Sequence, residues 1–234
     1  MSLDRILQSQ GFGSRKYCRE LVEAGEVTVN GEPVRAWKTA FEAEGLRLTV
    51  FGEPWLVRRH VYLALNKPAG FECSRRPSHH PGVMTLLPEQ FSWRDVQAVG
   101  RLDHDTTGML LLSDDGAFIH HMTSPRHHIP KVYLATTSEP VTAELIGQLL
   151  EGVQLHDEPA PLRALRCVQV DANRIEVVLE QGKYHQVRRM LAAAGNHCTQ
   201  LQRVAIGKLS LAALELEEGQ WCYLEAEKLA QLSS

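Results

Sequence analysis

The sequence predicts an α+β protein in two parts, a small N-terminal unit of two helices and a hairpin, then a larger domain on a mainly antiparallel mixed sheet. Three observations carry this. Helical apolar spacing in the first two dozen residues gives way to an Asn-Gly turn between short β-branched runs. Beyond residue 60, strands and helices mix without regular βαβ alternation. The run Met109-Leu110-Leu111-Leu112 is too short for a helix and has turn residues on both sides, so it reads as a core strand.

Taken in order, Leu3, Ile6 and Leu7 recur at helical spacing, and Gly11-Phe12-Gly13 ends that helix. Ser14 is a good N-cap for a second helix, Arg15 to Ala24, closed by Gly25, with Tyr17, Cys18, Leu21 and Val22 as its apolar face. A hairpin follows, Val27-Thr28-Val29, the turn Asn30-Gly31, then Glu32-Pro33-Val34. Gly52-Glu53-Pro54 and the polar Arg58-Arg59-His60 read as a linker, which divides the chain into residues 1–60 and 61–234. A strand, Val61 to Leu65, then ends in the turn Asn66-Lys67-Pro68-Ala69-Gly70. After the Met109 strand come a short helix near Ala117 to Met122, a strand Val132 to Thr136 and a helix Thr142 to Leu150. Strands Leu165 to Val170 and Arg174 to Leu179, and a helix Gln186 to Ala194, complete the domain.

The 234 residues can bury a good core, and nothing suggests a fibre, a membrane span or disorder. With no apolar stretch long enough for a signal peptide, the expectation is a cytosolic protein, taken here as a monomer. Five scattered cysteines without a Cys-x-x-Cys pair read as reduced thiols. The formal net charge of −3 argues against a nucleic-acid binder, but its distribution reverses the inference. Gln181 to Lys208 holds five cations, Lys183, Arg188, Arg189, Arg203 and Lys208, and no acid, whereas Leu209 to Ser234 carries five glutamates against Lys228. The basic segment is interleaved with Tyr184, His185, Gln186 and Met190, which a merely solubilising face does not require.

Chemistry is concentrated in three places. Asp103 lies in the loop feeding the Met109 strand, on a rigid scaffold yet within reach of solvent. An Asp there could equally serve a local Asx turn. Tyr133 offers a flat ring for stacking and a hydroxyl for proton transfer. Arg188 is expected to neutralise and orient Asp103 through a bidentate contact. Near the N-terminus, Arg15, Lys16 and Arg19 cluster at a positive helix end and favour phosphate.

The helix, helix, hairpin start, with Gly13-Ser14-Arg15 and Val27-x-Val29-Asn30-Gly31, resembles the S4 RNA-binding domain. Gly100-Arg101-Leu102-Asp103, Lys131-x-Tyr133 and Gly182-Lys183-x-His185-Gln186-Val187-Arg188-Arg189-Met190 resemble, in order and spacing, the three motifs of pseudouridine synthases, and Asn66-Lys67-Pro68-x-Gly70 agrees. Thr123 to His128, Gly152 to His156 and Gly195-Asn196-His197 look like the ribosomal small-subunit type A group. Arg188 stands where that group carries Lys, with the charge kept. The resemblance implies isomerisation of a uridine in 16S rRNA, free or in a partly assembled small subunit, with no cofactor and no metal. It implies Asp103 as the essential carboxylate, with Tyr133 and Arg188 as its catalytic partners. RNA contacts are expected from Arg15, Lys16, Arg19, Lys67, Arg101, Lys183, His185, Gln186 and Arg189. The target base must be unstacked to enter such a site, which a separate RNA-gripping unit would assist.

Other readings are weaker. Asp103 and Asp105 would lie roughly 7 Å apart on an extended segment, as a glycoside hydrolase pair could, but that leaves the basic segment and the N-terminal unit unexplained. A non-catalytic S4-type assembly factor would need neither Asp103 nor Tyr133, and a 23S rRNA target would keep the chemistry while changing the substrate. His120, His121, His127 and His128 lack the spacing of metal ligands on a helix. The low net charge predicts modest RNA affinity with a shallow salt dependence.

Overall fold

The computed structural model describes residues 1–233, which form two compact units. The first comprises residues 1–61 together with 84–97 and 113–115, and the second takes up the rest. Its elements begin with helices α1 (Leu3–Ser9) and α2 (Arg15–Ala24) and strands β1 (Val27–Val29), β2 (Glu32–Pro33), β3 (Arg47–Val50) and β4 (Glu53–Leu56). Ser14 Oγ accepts from the Tyr17 N–H, and Gly25 closes α2 at φ 87°, so both ends of that helix are capped by the residues the sequence marks for it. Cys18, Leu21 and Val22 are buried as expected, but Tyr17 is 45% exposed, a correction to the apolar face of α2.

The four strands form one sheet in the order β2-β1-β3-β4. The β3–β4 hairpin corrects the linker reading of residues 51–60. Phe51 and Gly52 both take positive φ, 54° and 80°, and turn the chain so that Arg47 to Val50 pairs with Leu56 to Glu53. Pro54, which argued for a linker, is tolerated because β4 is an edge strand.

One buried carboxylate organises the two helices. Asp4 is 0% exposed and accepts from Ser2 Oγ at 2.6 Å, Arg15 Nε at 2.8 Å and Arg19 Nε at 2.9 Å. Burial alone would raise its pKa, but the hydrogen bonds from Ser2, Arg19 and Arg15 outweigh that and hold it well below the usual carboxylate range. Arg19 also lies over the Trp37 ring at 4.1 Å. Farther along the chain, helix α3 (Glu89–Trp93) buries Phe91 in this unit, beside Trp55. Arg94 fixes the same region, donating to Asp114 Oδ2 at 2.7 Å, Gln10 Oε1 at 2.8 Å and Arg58 O at 3.0 Å.

The second unit is built on strands β5 (Tyr62–Lys67), β6 (Gln97–Ala98), β7 (Thr107–Ser113), β8 (Lys131–Thr137), β9 (Arg166–Gln169), β10 (Arg174–Leu179), β11 (Cys198–Ile206), β12 (Leu209–Ser210) and β13 (Trp221–Tyr223). Helices α4 (Gly116–Thr123), α5 (Ala143–Glu151), α6 (Gln186–Ala193) and α7 (Ala226–Ala230) accompany them. The main path of the sheet is β13-β5-β7-β11-β8-β10-β9, with β12 beside β11 and β6 beside β7. β11 runs parallel to β7 and antiparallel to β8, so the sheet is mixed but mainly antiparallel. Its core gathers Ala64, Met109, Leu111, Ile206, Leu209 and Leu232.

Sequence reading stops at the helix near residue 194 and misses β11, the strand at the centre of this sheet. On its buried face Leu201 is followed by Arg203, and a cation at an inward position breaks the apolar alternation that identifies a strand.

Asp4→Ala leaves two guanidinium groups without their buried partner and is expected to lower the stability of the intact chain by roughly 3 kcal/mol in urea unfolding at pH 7. Because the folded pKa is depressed, the advantage of wild type over Asp4→Asn is full above the ordinary Asp value, about 4, and declines as pH falls through the folded value. Equal unfolding midpoints at pH 7 would contradict this role.

Candidate active site

Asp103 is placed by a lysine rather than by its own neighbours. Lys67, the last residue of β5, is 0% exposed, and its Nζ donates to Pro68 O at 2.9 Å, His104 O at 3.1 Å and Thr106 O at 2.9 Å. His104 O accepts in addition from the Gly70 N–H at 2.7 Å, and Asp103 O accepts from the Thr106 N–H at 3.1 Å. The loop from Asp103 to Thr106 is thus pinned from inside, directly before β7. Burial pulls the Lys67 pKa down, while the nearby Cys73, Asp105 and Asp103 groups act to raise it. A Cβ at Gly108 would stand 2.3 Å from Arg203 O, so only glycine, here at φ 98°, lets β7 approach β11 this closely.

Asp103 opens on a cavity of about 750 Å³, a size suited to a nucleotide. Tyr133 of β8, 8% exposed, lines it, and its hydroxyl makes no hydrogen bond among the described residues. Lys131, two residues earlier on the same strand, also lines the cavity and donates to Ile129 O at 2.9 Å. Burial, assisted by the Arg203 charge, pushes its pKa down to about 8. Arg203 enters the wall from β11.

Two expected contacts are corrected. Arg188 does not reach Asp103. It donates from Nη2 to Asp105 Oδ2 at 2.9 Å and from Nη1 to Cys198 O at 3.1 Å. Asp103 Oδ1 instead faces His185 Nε2 at 3.1 Å. His185 sits just ahead of α6 at φ 47°, stacked on Tyr184, and this places its ring on Asp103 while Arg188, almost one helical turn on, falls opposite Asp105.

The expected RNA contacts separate into groups. Lys67 is wholly buried and offers RNA no group, while Gln186, 6% exposed, lines the cavity. Gln186 Oε1 accepts from the Lys183 N–H at 3.0 Å and shapes its own loop. Arg15 and Arg19 spend their Nε groups on Asp4. Lys183 is bound to Glu158 and Arg189 to Asp157, two acids that sequence reading did not connect with the basic segment. Their signal was legible only as Asp157-Glu158 beside Gly152 to His156, too far along the chain to be linked without the fold. Arg101 is exposed at the cavity and Lys16 is exposed on α2. Among the described residues, no group of three or more His, Cys, Asp or Glu is placed to hold a metal ion.

A carboxylate held at the mouth of a nucleotide-sized cavity, with a phenol and a guanidinium in its wall, is equipped for proton transfer and for stabilising a developing anion. Comparison with known proteins gives that equipment a class. The sequence model for RNA pseudouridylate synthase matches residues 61–193, and the model for the S4 domain matches residues 1–36. The chain is 38% identical to "Ribosomal small subunit pseudouridine synthase A" of Escherichia coli K12, over 99% of this chain and 100% of that protein. It is 35% identical, over 100% of its own length and 98% of the relative's, to an "Uncharacterized RNA pseudouridine synthase YtzG" of Bacillus subtilis. A solved pseudouridylate synthase superposes with a TM-score of 0.69 at 30% identity, covering 99% of both chains. The protein is an isomerase that carries an S4 domain. It belongs to the RNA pseudouridylate synthase family.

Lys131 yields a pH-dependent expectation. Its folded pKa, about 8, lies below its ordinary 10.5, so the folded state binds fewer protons than the unfolded chain between those values. The Lys131 contribution to stability therefore rises with pH across that window. Relative to Lys131→Met, wild type should gain stability from pH 8 to pH 10.5 in parallel urea titrations. A constant difference between the two would contradict the buried placement of this ammonium.

Proposed function

We propose that this enzyme converts a uridine of small-subunit 16S rRNA to pseudouridine, with Asp103 as its essential carboxylate and without a cofactor. The observation that carries the reading is Asp103 itself, clamped through Lys67 at the mouth of the cavity that Tyr133 lines. The small-subunit target is supported by full-length relatives of that name at 35–38% identity. The S4 domain supports an RNA substrate, either free 16S rRNA or a partly assembled small subunit, in the cytoplasm. No helix of the described residues is long and apolar enough to cross a membrane.

In this reading the glycosidic bond between N1 and C1′ breaks, the base turns, and C5 bonds to C1′. His185, which lines the same cavity, orients Asp103 through its contact with Oδ1. Tyr133 lies under the base, with its hydroxyl free to accept or relay the C5 proton. Arg188 acts through Asp105 on the far side of the loop, a positioning role in place of the direct contact first expected.

The pairing of Lys183 with Glu158 and of Arg189 with Asp157 supports a modest electrostatic grip, since RNA must compete with those acids. Carbodiimide mapping of 16S and 23S rRNA, from cells with and without the gene, tests the reading. One 16S stop should vanish with the gene and return with wild type but not with Asp103→Asn, which should still bind RNA. A lost 23S stop would overturn the target, and full activity of Asp103→Asn would overturn the role of the carboxylate.

A further inference from the structure

Arg203 lies outside the residues assigned so far, yet it is 3% exposed and sits midway along β11. Its register partners are Tyr133 on β8 and Gly108 on β7. Directly opposed residues project to the same face of a sheet, so its guanidinium stands beside the phenol. Nε donates to Met109 O at 2.8 Å, while Nη2 is buried and has no hydrogen-bond partner. Among the described residues no carboxylate forms an ion pair with it. A buried guanidinium with no counter-charge and one nitrogen without an acceptor is expensive, and a ligand that supplies both removes the cost. The group borders the same cavity as Asp103 and Tyr133, and Lys131 adds a second cation there.

The reaction itself generates a matching anion. When the N1–C1′ bond breaks, its electron pair remains on the base, giving a uracil anion with charge spread over N1, O2 and O4. The C5=C6 π pair then forms the new bond to C1′, C5 loses its proton and N1 gains one, so nothing else is consumed. Between the two bonds the base is negatively charged and untethered.

We propose that Arg203 holds this detached uracil, Nη2 donating to one of its carbonyl oxygens, so that the anion is stabilised and kept inside the cavity. The inference rests on the assignment of the cavity to the target uridine. Arg203 is then a catalytic residue that touches the reacting base, separate from Asp103 and Tyr133 in what it does.

The test uses the full-length enzyme and a 16S rRNA transcript carrying labelled uracil. Arg203→Gln removes the charge and keeps an N–H donor for Met109 O, Arg203→Lys keeps the charge, and Asp103→Asn runs in parallel. Arg203→Gln should lower the single-turnover rate roughly 100-fold with RNA affinity unchanged, as loss of an oxyanion donor does. It should also release free labelled uracil and leave abasic sites, which wild type does not. Arg203→Lys should recover much of the rate and suppress the release. A wild-type rate in Arg203→Gln would overturn the inference, as would a slow variant that releases no uracil and is not improved by Lys. If Asp103→Asn also turns over, the assignment of the cavity fails. If Asp103→Asn is inactive while Arg203→Gln is normal, only the role of Arg203 fails. Should Arg203→Gln not fold, judged by circular dichroism and RNA binding, Arg203→Lys decides: uracil retained at a reduced rate supports the proposal, and loss of rate with loss of RNA affinity overturns it.

Discussion

The Lys67 ammonium, wholly removed from water, gives its three protons to three backbone carbonyls, Pro68 O, His104 O and Thr106 O. A buried charge is tolerable only where hydrogen bonds replace its hydration, and here they do. The same bonds satisfy carbonyls of a loop that has no ladder partners of its own. The loop is therefore rigid for the reason that the lysine is buried, and Asp103 inherits that rigidity. Every other feature of the site is arranged around this fixed carboxylate, with His185 on its Oδ1 and the cavity lined by β8 and β11 in front of it.

The sheet supplies the opposite wall. β7, β11 and β8 lie side by side, which brings Gly108, Arg203 and Tyr133 into one row across three strands. Gly108 makes that row possible, since a side chain there would collide with the β11 backbone. Polar groups face the cavity from both walls, while Leu201 and Ile206 close its apolar side. In the basic segment, Lys183 pairs with Glu158, Arg189 with Asp157 and Arg188 with Asp105. The cavity wall carries the Lys131 and Arg203 cations together with the Asp103 carboxylate.

Much of the fold was legible because local signals were strong. Ser14 and Gly25 cap α2 as written, the Asn30-Gly31 turn makes its hairpin, and β10 runs from Arg174 to Leu179 as the sequence predicts. β4 escaped notice because Pro54 and Gly52 imitate a linker, and only sheet order reveals an edge strand there. β11 escaped because Arg203 occupies a buried, inward position where the apolar alternation of a strand calls for an apolar residue. At the site, motif spacing singles out Asp103 and Tyr133, and the fold brings both to one cavity. The contacts were not legible in the sequence. Lys67 looked like an exposed cation because a lysine is rarely buried. Arg188 looked like the partner of Asp103 because spacing along a chain does not say which of two carboxylates, Asp103 or Asp105, a side chain will face.

The account depends most on Lys67 holding the Asp103 loop, and amide hydrogen exchange of wild type and Lys67→Met reads this directly. Loss of the ammonium should speed exchange at the Gly70 and Thr106 amides, whose acceptors are His104 O and Asp103 O, while amides of the β8–β10 ladder stay protected. Unchanged protection at Gly70 and Thr106 in a folded Lys67→Met protein would contradict the claim that this buried charge positions the Asp103 carboxylate.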